Sequence, residues 1–250
     1  DRTRKAKSHH RRCLWLLYTR TRPLLTPTMR PRDASKRQLA AIATALLANA
    51  VAMSHPFPYT PFLVMHYNLT DDPRKAGFYT GMLLSAFMLG RMLSSFPLGL
   101  VSDTLGRRPV IEIGLISCLV FQATFAFSPG IRAALLSRFL MGAFNGIIGV
   151  AKAWLPELFA DSWQTVAMSL ISGMWGIGNI AGPAIGGLLY SRTTSGLLGS
   201  FPALLPSLVG MVLSVVALLA TRLVLPRGSV ARTWRAAAAA SDRAALASHD

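Results

Sequence analysis

Acidic side chains are scarce in this sequence, which has only 10 Asp and Glu residues against 26 Lys and Arg residues. Charged residues of both signs make up 14% of the chain, whereas a soluble domain carries about 25%. The deficit is concentrated in long uncharged runs, each close to the ~20 residues that cross ~30 Å of hydrocarbon as a helix. Barrel strands would instead alternate over ~10 residues. The sequence therefore predicts an all-α, multi-pass membrane protein.

Cysteine and metal-ligand patterns are also nearly absent. The two cysteines, Cys13 and Cys118, lie in a basic segment and in an apolar run, so no disulfide framework is predicted. The 5 His residues are scattered without metal-ligand spacing. Neither a nucleophile–base pair nor a phosphate-binding loop is visible. We therefore expect no metal, no cofactor and no enzymatic activity.

The net charge of +16 comes mainly from the two ends of the chain. Of the 26 basic residues, 12 precede Gln38 and 5 follow Ala220. Basic segments can bind nucleic acid, but beside a membrane domain they indicate the cytosolic side and attraction to anionic lipid. We expect no nucleic-acid partner, and we predict disordered cytosolic tails at 1–37 and 226–250 around a membrane domain at 38–225. A targeting segment is the alternative for the first tail.

Six apolar runs account for the membrane domain, and an even number places both tails on one side. Each run is bounded by loops that carry charge, proline or glycine. The predicted spans are Leu39–Tyr67, Phe78–Leu100, Pro109–Ser128, Ala133–Trp154, Trp163–Tyr190 and Phe201–Leu223.

A short charged turn from Gly99 to Pro109 joins the second and third spans. Asp103 lies four residues before Arg107, so the two can pair across one helical turn. Gly106 permits a backbone turn that other residues resist. Arg107 and Arg108 on so short a loop indicate the cytosolic side. Glu157 and Asp161, on the next cytosolic connection, are further candidate partners for these arginines.

We single out three of the ionisable side chains within the predicted spans, where such groups indicate a functional site. His55 precedes a proline-rich stretch in the first span, and prolines there break or kink a helix. Arg91 lies in the second span and Arg138 near the outer end of the fourth. Alternatives are a simple kink at the prolines and arginines that snorkel to the interface.

Two further features concern packing and modification. Gly178, Gly182 and Gly186 recur every four residues in the fifth span, which lets another backbone approach closely, and Pro183 between them predicts a kink. Gly142 and Gly146 form a similar pair in the fourth span. Asn68-Leu69-Thr70 is a glycosylation sequon in the first outer loop.

The charged turn resembles the signature loop between the second and third helices of major facilitator superfamily transporters. Gly99, Asp103, Gly106, Arg107 and Arg108 match that pattern. Thr104 departs from it, since the family usually has a basic residue there. The resemblance implies that this loop belongs to the inner gate. The fourth span is similar too, and in proton-coupled members the arginine matched by Arg138 is associated with proton transfer.

The fifth span resembles a motif of drug:proton antiporters in the same superfamily, matched here by Gly178, Gly182, Pro183, Gly186 and Gly187. Other stretches, including Asn145-Gly146, resemble the zinc-induced facilitator-like branch, which is similar to tetracycline-resistance-type antiporters. The resemblance implies proton-coupled export of small organic solutes, ions or metal chelators, across a plasma or vacuolar-type membrane. It makes Asn145 a pathway candidate beside His55, Arg91 and Arg138.

One feature of the family is missing, because its members have two six-helix halves with the substrate path between them. Only an N-terminal half is present in this sequence. We expect a fragment of a longer chain, or a half that pairs with a C-terminal half or a second copy. The alternative is a non-transporting half-transporter that acts as a scaffold or regulatory partner. In either case the resemblance implies that the helix packed on Gly182 lies in the missing half.

Overall fold

A computed structural model of the chain describes residues 32–70, 72–158, 161–190 and 201–225. The described part is entirely helical. The chain divides into two units, Asp1–Ala34 and Ser35–Asp250, and the helical bundle belongs to the second. In chain order the helices are α1 Arg32–Ser54, α2 Thr60–His66, α3 Pro73–Leu105, α4 Arg107–Ala126, α5 Ile131–Ala143, α6 Ile147–Leu158, α7 Asp161–Leu189 and α8 Leu204–Val224.

These helices correspond to the six apolar runs of the sequence. Five segments are long and apolar enough to cross a membrane: Lys36–Ser54, Arg74–Leu105, Arg107–Ala126, Ile131–Pro156 and Leu204–Val224. The sixth predicted span corresponds to α7, whose 29 residues extend about 43 Å, although this helix is not one of those five segments.

The first span is interrupted in its second half, where its prolines predicted either a broken helix or a simple kink. Regular helix stops at Ser54 and resumes at Thr60. Between them the chain makes turns in which His55 N donates to Val51 O at 3.0 Å and Thr60 N donates to Pro56 O at 2.9 Å. Proline has no N–H to continue the helical ladder, so the interruption follows from the local sequence.

The fourth span is interrupted as well, which the sequence analysis did not predict. Helix α5 ends at Ala143 and α6 begins at Ile147, so three residues in the middle of the span are not helical. Glycines on both helices allow the first segment, α5, to pack closely against α3. A Cβ on Gly142 would fall on the carbonyl oxygen of Phe87, and one on Gly90 would fall on that of Phe139. Helices α3 and α5 therefore touch backbone to backbone.

The largest apolar core lies in the half of the bundle that is nearer the charged turn. It contains Ile42 and Leu46 of α1, Ile111 of α4, and Ile147 and Leu155 of α6, all with exposures of 0%. By contrast, α3 leaves much of its apolar surface uncovered, with Phe78 at 71% and Phe96 at 75%. That exposed surface suits lipid or another helix.

The predicted domain boundaries at residues 38 and 225 stay predictions. Helix α1 begins at Arg32, inside the segment predicted to be a tail. The rest of that tail and the whole of the second predicted tail, 226–250, lie outside the described residues. At the other boundary, α8 ends at Val224, within one residue of the predicted limit.

Cysteine labelling tests the predicted orientation of the six spans. On a background without native cysteines, Asp103→Cys is expected to react with an impermeant maleimide only from the cytosolic side, because the basic tails favour that side. Asn68→Cys, at an exposed position, is expected to react only from the opposite side. Labelling of position 103 from outside alone would contradict this topology.

Candidate functional site

The signature turn has the ion pair that its spacing predicted. Arg107 Nη1 lies 2.6 Å from the Asp103 carboxylate and also donates to Ser102 Oγ at 2.6 Å. Gly106 separates α3 from α4 with φ of 107°, a conformation that glycine adopts without strain. The predicted pair and turn are therefore confirmed, although the pair bridges two helices and not one.

Arg108 has partners that the sequence analysis did not identify. Its guanidinium donates to Glu112 Oε1 at 2.6 Å, to Leu225 O at 2.6 Å and to Arg222 O at 3.1 Å. The last two are carbonyls at the C-terminus of α8, where a cation is favoured. The side chains of Glu157 and Asp161, the partners proposed above, lie outside the described residues. Arg108 thus fastens the end of the sixth span to the start of the third.

A cleft of about 370 Å³ lies beside the signature turn. Its polar lining includes Arg91, Ser102, Asp103, Arg107 and Asn145. The cleft therefore brings two of the predicted pathway residues together with the predicted gate. The Arg91 guanidinium also lies 5.8 Å from the ring centroid of Trp175, within the range of a cation–π contact.

Asn145 occupies the interruption in the fourth span and is 2% exposed. Its Nδ2 donates to Asn49 Oδ1 at 2.6 Å and lies 3.5 Å from Cys118 Sγ. Asn49 belongs to α1 and Cys118 to α4, so the interruption connects three spans through polar side chains. Sequence reasoning missed Asn49, whose signal was an amide in an otherwise apolar stretch of the first span.

His55 lies at the C-terminal end of α1 and is fully buried. Its Nδ1 is 2.9 Å from the hydroxyl of Tyr59, which is also buried. His55 Nε2 has no hydrogen-bond partner among the described residues. The sequence analysis missed Tyr59, whose spacing of four residues from His55 was the available signal.

Arg138 lies inside the bundle with an exposure of 2%. Its Cζ is 4.3 Å from the ring centroid of Phe125, and its Nη1 donates to Ala52 O at 3.4 Å. Nε and Nη2 have no hydrogen-bond partner within the described ranges. A snorkelling arginine keeps its charged head in water, so that alternative does not fit this buried position. Arg138 is one of the residues that line a second cleft, of about 310 Å³.

The glycine stripe of α7 packs on α1, which corrects the expectation that its partner lies in a missing half. A Cβ on Gly186 would fall on the carbonyl oxygen of His55, and one on Gly182 on the hydroxyl of Ser54. At Gly178 a Cβ would lie 2.5 Å from Ala50 Cβ. Gly187 is less constrained, with Pro58 atoms at 3.8 Å. Helix α7 continues through Pro183, and one sequence cannot reveal which helices are neighbours.

Two predicted residues remain to be placed, Asn68 and Gly99. Asn68 is exposed after α2 with φ of 52°, a conformation that asparagine tolerates better than most residues, and its glycosylation stays a prediction. Gly99 lines the cleft at the turn. Within the described residues, no group of three or more His, Cys, Asp or Glu side chains is placed to hold a metal ion.

Comparison with protein families gives a match over most of the chain. Residues 40–247 match the family model described as Major Facilitator Superfamily. The Protein ZINC INDUCED FACILITATOR-LIKE 1 of Arabidopsis thaliana is 40% identical over 184 residues, which cover 70% of this chain and 38% of that protein. The Major facilitator superfamily multidrug transporter mfsB of Aspergillus fumigatus is 34% identical over 190 residues, which cover 72% of this chain and 31% of that protein.

A solved structure has the same fold. The human organic anion transporter MFSD10 (TETRAN) superposes with a TM-score of 0.65 at 21% sequence identity, covering 79% of this chain and 48% of that one. The chain spans less than two fifths of the length of the two curated relatives named above.

Proposed function

Because the chain belongs to the major facilitator superfamily, as its motifs predicted, we propose that it forms the N-terminal half of a secondary active transporter. Members of this family are multi-pass membrane proteins that move small solutes. The finer proposal is proton-coupled export of small organic solutes or ions. The names of relatives support export as the direction of transport, since they include a multidrug transporter and an efflux pump.

The observation that carries the proposal is the set of polar side chains buried inside the spans. Such groups are costly in a membrane and usually mark ion or substrate pathways. Arg138 retains unpaired donors among the described residues, so bundle packing alone does not account for it. The members are Asn49, His55, Tyr59, Gln122, Arg138 and Asn145, with exposures of 2% or less.

His55 supports the proton-coupled part of the proposal. It is a titratable group between two helical segments, hydrogen-bonded on one ring nitrogen to Tyr59. The packing of Gly182 and Gly186 against Ser54 and His55 joins this group to α7. Protonation of the imidazole therefore changes the charge at the contact between the first and fifth spans. Such a change suits a step that couples proton movement to solute transport.

The transporter half requires a second six-helix half to enclose a substrate path. The uncovered apolar surface of α3 supports such a partner, since nine of its large apolar residues are at least 36% exposed. That partner is a C-terminal half or a second copy. The same surface also suits the alternative function, a non-transporting half that docks on another membrane protein.

Transport by the complete protein tests the proposal. Proteoliposomes with an imposed pH gradient are expected to move a test solute against its concentration gradient, and the movement should stop when a protonophore collapses the gradient. Active transport that continues at the same rate after the protonophore is added would contradict the proton coupling. Failure to move any member of a broad solute panel, by a protein shown to be folded, would favour the scaffold alternative.

Asp103→Asn is expected to slow transport by roughly tenfold while leaving folding nearly intact. The Asp103 carboxylate is 60% exposed, and such surface pairs contribute about 1 kcal/mol or less to stability. At the inner gate, however, its loss removes the local counter-charge of Arg107. The measurement is initial transport rate at matched expression, with Thr104→Ala as a neighbouring control. A wild-type rate in Asp103→Asn would count against a gating role.

A further inference from the structure

Arg91 lies near the middle of the second span without an anionic partner among the described residues. Helix α3 runs from Pro73 to Leu105, so Arg91 is about 21 Å along the helix axis from one end and about 27 Å from the other. Within the described part of the chain its guanidinium has no hydrogen bond or ion pair, and its electrostatic contact is the ring of Trp175. An arginine at this depth is costly unless it is paired.

The Arg91 side chain is also partly exposed, because it lines the cleft beside the signature turn. Asp103 is the one carboxylate among the residues that line this cleft. It already pairs with Arg107 at 2.6 Å, and it lies twelve positions, or about 18 Å along α3, from Arg91. The cleft therefore presents a cation to whatever packs on it and supplies no counter-charge of its own at that depth.

Acidic residues elsewhere in the chain cannot supply this counter-charge. Of the 10 acidic residues, Glu112 is the one that falls within a predicted span, and it is bonded to Arg108 at 2.6 Å. The others lie in predicted loops or tails. An identical second copy would therefore bring no free carboxylate to the depth of Arg91, so the partner must have a different sequence.

We infer that Arg91 pairs with an aspartate or glutamate inside a membrane span of the C-terminal six-helix half, which docks at this cleft. Gly99 and Gly149 line the cleft and have no atom within 4 Å of an added Cβ. A helix of the second half can therefore approach closely there. The inference rests on the proposed function as a transporter half, and it selects a C-terminal half over a second copy as the partner.

Exchange of the two charges in the complete protein provides the test. Arg91→Glu is expected to lower the thermal unfolding midpoint by about 5 °C or more, because two carboxylates then face each other. Each Asp and Glu within the spans of the C-terminal half is replaced by arginine, alone and together with Arg91→Glu. We expect one such position to recover at least half of the lost midpoint in the double variant, although its single replacement is as harmful as Arg91→Glu.

Two controls separate this pair from general effects of charge and fit. Arg132→Glu reverses an exposed arginine at the start of α5, so its midpoint is expected to stay within about 2 °C of the wild type. Where a reversed pair does not fold, Arg91→Gln is combined with replacement of the partner carboxylate by its amide. We expect the neutral pair to be more stable than either single variant, because neither leaves an unpaired charge.

Several results would overturn the inference. These are a wild-type midpoint in Arg91→Glu, the absence of any rescuing position in the C-terminal half, and disulfide-linked dimers through Arg91→Cys, which would place a second copy at the cleft. The test measures stability and does not require transport. Rescue in a protein that moves no solute would defeat the proposed function alone, whereas solute transport without any rescue would defeat the inference alone.

Discussion

Gly186→Leu is expected to lower the free energy of unfolding by about 3 kcal/mol, the upper end of the usual range for overpacking, because the neighbour that it meets is rigid. A Cβ at this position falls on the carbonyl oxygen of His55, which is backbone and cannot rotate away. Helices α7 and α1 must then separate, and the hydrogen bond between His55 and Tyr59 is strained with them. The yield of folded protein in detergent and its thermal unfolding midpoint measure the effect.

Gly176→Leu is the matched control on the same helix. An added Cβ there meets no atom within 4 Å, and replacing a helical glycine gains up to about 1 kcal/mol of helix propensity. We expect its midpoint to equal or exceed that of the wild type. Equal losses in the two variants would show that α7 does not pack on α1 through Gly186.

Arg108→Gln is expected to destabilise the chain by up to about 3 kcal/mol, the lower end of the range for removing one partner of a buried ion pair, because Glu112 is only partly buried. The change removes the charge that faces Glu112, together with donors to two carbonyls at the end of α8. Glu112 keeps a weaker contact with Arg222 at 3.7 Å, which limits the loss. Thermal unfolding of the purified chain is the measurement.

The neighbouring arginine and a double substitution serve as controls for Arg108. Arg107→Gln breaks a pair whose carboxylate is 60% exposed, so its cost is expected to be about 1 kcal/mol or less. Adding Glu112→Gln to Arg108→Gln is expected to recover part of the lost stability, because no partly buried carboxylate is then left without its main partner. Additive losses in the double variant would argue against the pair.

Local signals made much of the fold predictable from sequence. The length of the apolar runs predicted the spans, and three prolines within six residues predicted a broken or kinked helix after Ser54. The spacing of Asp103 and Arg107 predicted their ion pair. In each case the cause and its effect lie within a few positions of one another, where helix geometry limits the outcomes.

Contacts between distant spans were not predictable in this way. The sequence identified Gly182 as a close-packing position but assigned its partner to a missing half, whereas the partner is Ser54 on α1. Asn49 was missed because its importance depends on meeting Asn145, 96 positions later. A single sequence contains no record of which helices are neighbours, so such pairs appear only when the packing is known.

The interruption in the fourth span divides it into two helical segments that are held by different kinds of contact. Its first segment, α5, is held rigidly against α3, because the two backbones are in direct contact at Gly142 and Gly90. Its second segment, α6, packs through side chains, with Ile147 and Leu155 in the largest apolar core. Because side chains adjust more easily than backbone, we expect bending at the interruption to displace α6 more than α5. Asn145 lies inside the interruption, so its hydrogen bond to Asn49 opposes such bending.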